Sequence, residues 1–136
     1  MTDATKLIAG LLPISVTTIE FGGTFLPRIL SGKHPSFTDF QRSMFRAGHA
    51  PAGVLVILAL VSLVFADQAG LSASMGSAVR IEFAAAPIPV SGGFFGAAAG
   101  QGRTRPGGLI ALVWIGVFVL GGSLIALEAS LIRARG

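Results

Sequence analysis

A long apolar run dominates the middle of this chain, from Ala50 to Ala66, and no charged residue interrupts it. Together with residues 47–49 it would form a helix about 30 Å long, which matches the hydrocarbon thickness of a bilayer. The pattern therefore predicts a transmembrane helix, and the rest of the chain is read relative to it.

Three other stretches show weaker forms of the same pattern. The first carries Pro13 and Glu20 among its apolar residues, and the third carries charged residues, prolines and many Ala and Gly. The last is a clear apolar span that follows Pro106, a residue suited to the first turn of a helix. The predicted spans are about 7–30, 42–66, 72–100 and 107–132.

These spans predict one transmembrane domain over residues 1–136, an all-α, integral membrane, up-down four-helix bundle. The alternative for residues 72–100 is a Gly-rich loop that lies over the membrane. The second helix is expected to begin at Ser36, because Ser36 and Asp39 have the spacing of a capping box.

Composition supports a membrane protein. Hydrophobic residues make up 52% of the chain and charged residues only 12%, whereas soluble domains carry about 25% charged residues. Ten Lys and Arg against six Asp and Glu give a net charge of +4. The basic residues are scattered, and one Trp with no Tyr offers little for base stacking, so nucleic acid is not an expected partner. The absence of Cys excludes disulfides and thiolate chemistry.

Ionisable residues inside predicted spans are the best indicators of function in such a protein. If the first two helices fold about a turn at residues 33–34, Glu20 lies level with Ala47. That register brings Glu20 close to Arg46 and His49, and we expect these three side chains to form one polar cluster.

A second cluster is expected where the last two helices meet. If they fold about a turn at residues 103–104, Arg80 lies level with Glu128, and Glu82 lies nearby. The structural interpretation of the two clusters is a pair of ion pairs, Glu20 with Arg46 and Arg80 with Glu128, because pairing lowers the cost of a charge in hydrocarbon. The functional interpretation is a proton or ion pathway in which Glu20 or Glu82 changes protonation.

His49 is the candidate for a metal or haem ligand. Such sites normally need more ligands than one, and Glu20 or a second copy of the chain would have to supply them. The simpler interpretation is a histidine that packs and forms hydrogen bonds, so no metal or cofactor is the expected outcome.

Small residues recur every four positions on the last two predicted helices. This small-xxx-small spacing lets helix backbones approach each other in a membrane. The predicted helix-packing positions are Gly92, Gly96, Gly100, Gly122, Ala126 and Ser130.

Residues 45–53 read Phe-Arg-Ala-Gly-His-Ala-Pro-Ala-Gly, and this motif resembles a family of small, uncharacterised bacterial four-helix membrane proteins. Residues 20–23 and Arg80 are also similar to that family. Pro51 stands where the family pattern has a second His, which removes a potential haem or copper ligand. The resemblance implies a multi-pass protein of the bacterial cytoplasmic (inner) membrane and carries no established activity.

The sequence shows no phosphate loop, nucleophile elbow or zinc-protease motif, so no catalytic residues are expected. The leading hypothesis is a non-enzymatic subunit that packs in the lipid bilayer against other membrane subunits or copies of itself. One alternative is a small channel or proton-coupled transporter that uses Glu20, Arg80 and Glu82. The other is a redox subunit that binds haem or a metal through His49.

Overall fold

The computed structural model describes residues 1–31 and 36–135, and this part of the chain is helical without any strand. The all-α class is therefore confirmed. The elements are α1 (Asp3–Leu30), α2 (Asp39–Ala66), α3 (Ala73–Ala85), α4 (Pro87–Ala97), a short 3₁₀ turn (Gly108–Ile110) and α5 (Ala111–Arg133).

Three of the described helices are long and apolar enough to cross a membrane. Helices α1 and α2 have 28 residues each, and the 3₁₀ turn with α5 has 26. At 1.5 Å per residue these lengths are about 39–42 Å, which exceeds the roughly 30 Å of bilayer hydrocarbon.

Helix α2 begins later than the sequence suggested. Its N-cap is Thr38, whose Oγ1 accepts a hydrogen bond from the Gln41 N–H, while the Thr38 N–H donates to Gln41 Oε1, both at 3.2 Å. The predicted capping box at Ser36 and Asp39 is wrong, because Thr38 and Gln41 form the capping box and accept each other's backbone N–H groups. Asp39 instead lies in the first turn and pairs with Arg42 at 2.7 Å.

Residues 73–97 form two helices that meet end to end at Ala86. Pro87 and Pro89 have no N–H, so the carbonyls of Phe83 and Ala85 lose their usual helical donors and the helix breaks. The chain continues in helical geometry, because the Ala86 N–H still donates to the Glu82 carbonyl at 2.9 Å. The loop alternative is wrong for this segment, and the single helix expected there is divided in two.

Helix α2 is the centre of the packing, since it contacts each of the other four α-helices. Helix α1 packs on α2 and α3, while α4 packs on α2 and α5. The main core is built from residues of α1, α2, α3 and α5, and its buried side chains include Leu12, Val56, Leu63, Phe83 and Leu127.

Helix α1 is attached along one side only. Of its residues only Thr5 and Leu12 are buried, and large apolar side chains such as Ile14 and Phe21 are about two-thirds exposed (64% and 66%). Much of α1 therefore presents its side chains to the surroundings of the protein.

Candidate functional site

The strongest polar network gathers around Asp67, directly after the last residue of α2. Its Oδ1 accepts hydrogen bonds from Arg80 Nη2 at 2.6 Å and from Thr5 Oγ1 at 2.7 Å, and its Oδ2 accepts the Thr2 N–H at 2.8 Å. The Arg80 Nε also donates to Thr5 Oγ1 at 2.9 Å. The network thus joins α1, α2 and α3 at one end of the molecule.

This ion pair is largely removed from solvent, because the Asp67 and Arg80 side chains are only 9% and 11% exposed. Burial alone would raise the pKa of Asp67. Hydrogen bonds from Thr5, Arg80 and Thr2 outweigh that effect and hold the pKa of Asp67 well below its usual value. Asp67 is therefore an anion whose charge is balanced by Arg80.

The predicted pairing of Arg80 with Glu128 is wrong, because Arg80 pairs with Asp67. Glu82 accepts a hydrogen bond from the buried Ser123 hydroxyl. That contact places Arg80 closer to the level of residue 125 on α5 than to Glu128, which is exposed. The expected cluster of Arg80, Glu82 and Glu128 does not form.

Asp67 was not among the predicted site residues, although its position at the end of α2 is a signal in the sequence. A carboxylate at the C-terminal end of a helix opposes the helix dipole, so it needs compensating donors or cations. Asp67 follows the last residue of the apolar helix α2, so a cationic side chain is expected to lie near it.

The first expected cluster does not form either. Glu20 and Arg46 are both exposed, and within residues 1–31 and 36–135 neither takes part in an ion pair. Only His49 lies against α1, where a Cβ added at Gly23 would come within 3.2 Å of its Nε2.

The register of α1 against α2 explains this outcome. Thr5 meets Asp67 at one end and Gly23 meets His49 at the other, so the helices are antiparallel with level residues that sum to 72. Glu20 is therefore level with residue 52 and not with Ala47, a shift of about 7.5 Å along the axis.

At the opposite end of α2, the buried side chain of Gln41 ties α2 to the end of α4. Its Nε2 donates to the carbonyls of Ala98 at 2.9 Å and Gly100 at 2.7 Å, and Thr38 donates its hydroxyl to the Arg103 carbonyl. Gln41 was not among the predicted site residues, although a polar residue at the start of an apolar helix is a place where another chain segment can be anchored.

Glycines do permit close packing of α4 on α5. A Cβ at Gly96 would lie 2.7 Å from Leu109 Cδ1, and one at Gly93 would lie 2.7 Å from Val113 Cγ2. On α5, a Cβ at Gly116 would lie 2.7 Å from Val90. Of these glycines, only Gly96 belongs to the predicted packing positions.

The other predicted packing positions have different surroundings. A Cβ at Gly92 or Gly122 would meet nothing within 4 Å, and both residues are exposed. Gly100 has a φ of 109°, a backbone conformation that glycine adopts easily, and it follows the end of α4. Ala126 and Ser130 are half-buried.

His49 is the residue predicted as a candidate metal or haem ligand. Within the described residues, no three His, Cys, Asp or Glu side chains are grouped so that they could hold a metal ion. His49 lines a cavity between α1, α2 and α4, and no other common metal ligand is among the described residues that line this cavity.

Comparison with known proteins gives no further information on this arrangement. The resemblance of residues 45–53 to a bacterial membrane family stays a prediction. No family model, no curated protein and no solved structure matches this chain.

Proposed function

We propose that this chain is a small, non-enzymatic integral membrane protein whose helices cross the bilayer in an up-down arrangement and whose copies associate through α1. The three apolar helices of membrane length support insertion. So does the outer surface of α5, where Trp114, Phe118 and Ile125 are 62%, 74% and 68% exposed, because a surface of this kind is stable next to lipid and unstable next to water.

The observation that carries the proposal is a stripe on the outer side of α1 that holds three polar residues, one Gly and one Pro and no large apolar side chain. Its residues recur at intervals of three and four, all are exposed, and at 3.6 residues per turn they lie on one side of the helix. We call this surface the α1 stripe; it consists of Gly10, Pro13, Thr17, Glu20 and Thr24.

Glu20 makes exposure of the α1 stripe to lipid energetically unfavourable. It lies ten residues before the end of α1 at Leu30, about 15 Å along the axis, and therefore within hydrocarbon if α1 spans the bilayer. An ionisable residue at such depth normally faces another helix or a water-filled space, because exposure to lipid costs a few kcal/mol.

The stripe has the chemistry of a helix–helix contact. Gly10 allows close approach, and hydroxyl groups such as that of Thr17 can donate and accept hydrogen bonds across an interface. The 3.5-residue average spacing is that of two helices crossing at about 20°. A second copy in the same membrane orientation presents the same stripe, so a two-fold interface would be self-complementary.

Cysteine cross-linking in membranes tests this proposal directly, because the natural chain contains no Cys. With Thr17→Cys we expect oxidation to give a covalent dimer. Thr18→Cys is the matched control, since Thr18 is the same residue type at nearly the same depth and is also exposed, but lies about 100° around the helix.

Equal cross-linking of the two variants, or none in either, would refute the α1 stripe as the contact. A product of Thr17→Cys with a different chain would reject self-association and support an accessory subunit of a larger complex. A covalent dimer specific to Thr17→Cys would support the proposal.

A second function is favoured by the position of Glu20 alone. If several α1 stripes face one axis, Thr17, Glu20 and Thr24 would line it and offer a polar route for protons or cations. Arg80 and Glu82 are occupied by Asp67 and Ser123 elsewhere in the fold, so this alternative depends on Glu20. Flux in liposomes that survives Glu20→Gln unchanged would eliminate it.

A further inference from the structure

A cavity of about 480 Å³ lies between α1, α2 and α4. Helices α1 and α4 do not contact each other in the described part of the chain, so the cavity fills the gap between them, with α2 behind it. No charged side chain is among the described residues that line it, and its size is within the range of about 300–1,000 Å³ typical of small-molecule sites.

The Ser91 hydroxyl is the unusual feature of this cavity. Ser91 is 93% buried (7% exposed), and its Oγ has no hydrogen-bond partner among the described residues. Burying a hydroxyl without a partner is unfavourable, and buried hydroxyls in proteins are rarely left so. A ligand that accepts a hydrogen bond from Ser91 would remove this penalty.

His49 supplies a second polar group at a nearby level. Gly48 packs on Phe94 and Phe95, so α2 and α4 are antiparallel with level residues that sum to about 142. Ser91 is then level with residue 51 and lies only about 3 Å along the axis from His49. Both residues line the cavity.

Aromatic rings form one end of the cavity. Phe45 and Phe95 both line it, and their ring centroids are 6.1 Å apart. Such rings favour offset or edge contacts with another flat ring. The cavity thus combines an aromatic wall with two groups that can donate hydrogen bonds.

We propose that this cavity binds an uncharged, lipid-soluble molecule with a carbonyl group on a flat ring, which is the chemistry of a quinone. The Ser91 hydroxyl and a His49 imidazole N–H donate to the carbonyl oxygens, and Phe45 and Phe95 contact the ring. The molecule enters from the lipid through the gap between α1 and α4.

The ester carbonyl of a phospholipid fits this site less well. A phospholipid has no flat ring to contact Phe45 and Phe95, which both line the cavity, and its acyl chains have no acceptor for Ser91. The occupant we infer therefore carries its acceptor on a ring.

The test is saturable binding of decylubiquinone to the full chain in phosphatidylcholine nanodiscs. Gly22 lines the cavity, and a Cβ there would meet nothing within 4 Å, so Gly22→Leu should fold and occupy the cavity. We expect it to weaken binding more than tenfold. Gly53→Leu is the control, because Gly53 also has open space around it but does not line the cavity.

Ser91→Ala separates ligand recognition from stability. We expect about fivefold weaker binding, the size of one hydrogen bond, while the ligand-free variant melts no lower than the natural protein because an unpartnered hydroxyl has been removed. Competition by decane should be at least tenfold weaker than competition by unlabelled decylubiquinone.

Absence of saturable binding, unchanged affinity in both Gly22→Leu and Ser91→Ala, or equal competition by decane would each overturn the quinone site. The cavity residues lie about half a turn around α1 from the α1 stripe. The binding result is therefore independent of whether copies associate through that stripe.

Discussion

The ion pair of Asp67 and Arg80 fastens three helices together, so Asp67→Ala should loosen the whole fold. The substitution removes a carboxylate that accepts hydrogen bonds from Thr2, Thr5 and Arg80. It leaves the Arg80 guanidinium only 11% exposed and without its counter-charge. Breaking a buried pair on one side costs about 3–5 kcal/mol, which is a large part of the stability of a small domain.

Reversible unfolding in mixed detergent micelles, followed by circular dichroism, measures this loss. Asp3→Ala is the matched control, because the Asp3 side chain is 99% exposed and pairs with Lys6, itself exposed, at 3.0 Å. Exposed pairs of this kind contribute little, so we expect no measurable change. A loss below about 1 kcal/mol for Asp67→Ala would refute the view that the Asp67 network holds α1 in place.

Three further predictions follow from named contacts. Acid should destabilise the protein, because the pKa of Asp67 in the folded state is lowered from 3.8. Below about pH 4 the unfolded chain therefore binds more protons than the folded chain, and the free energy of unfolding falls as the pH falls. Asp67→Asn should weaken this pH dependence in a thermal-melt series. Gln41→Ala should lower the free energy of unfolding in micelles by about 2–4 kcal/mol, because the carbonyls of Ala98 and Gly100 lose a buried donor. The control Gln68→Ala should leave this free energy almost unchanged, because Gln68 is exposed. Gly93→Ala should destabilise the protein by about 1–3 kcal/mol, because the new Cβ would lie 2.8 Å from the Val113 nitrogen. Gly92→Ala should stabilise the protein by up to about 1 kcal/mol, because Gly92 has open space around it. Equal effects of the two glycine substitutions would contradict the α4–α5 packing.

The helices were predictable because hydropathy and helix breakers are local signals. The apolar run of α2 and the span of α5 are evident in the chain, and Pro87 and Pro89 mark the place where the third predicted helix divides. The start of α2 was displaced from Ser36 to Thr38, since two Ser/Thr residues compete for one N-cap and only the residue three positions ahead of Gln41 forms both hydrogen bonds.

The polar partners were not predictable in the same way, because they depend on the register between helices. A shift of five residues along α2 separates Glu20 from its expected neighbours. The long side chain of Arg80 reaches Asp67, a residue between the second and third predicted spans that was not among the predicted site residues. Turn length and side-chain reach set these contacts, and neither is encoded in hydropathy.

The cavity beside His49 could not be predicted from the sequence either. The motif at residues 45–53 drew attention to His49, but Ser91 is separated from it by more than 40 positions and becomes its neighbour only through the packing of α4 on α2. The α1 stripe is different, because its intervals of three and four residues can be read from the sequence. The structure was needed only to show that these residues are exposed.

The central claim is that copies of this protein associate in a membrane, and the mass of the intact assembly tests it most directly. The chain would be extracted from carbonate-washed membranes in a mild detergent and measured by native mass spectrometry over a wide concentration range. We predict a stable multiple of 13.9 kDa that Gly10→Leu shifts towards the single chain. A Cβ at Gly10 meets nothing within 4 Å in its own copy, but a large side chain there would keep two α1 helices apart. A single chain at every concentration, or release of the protein by carbonate, would contradict the account.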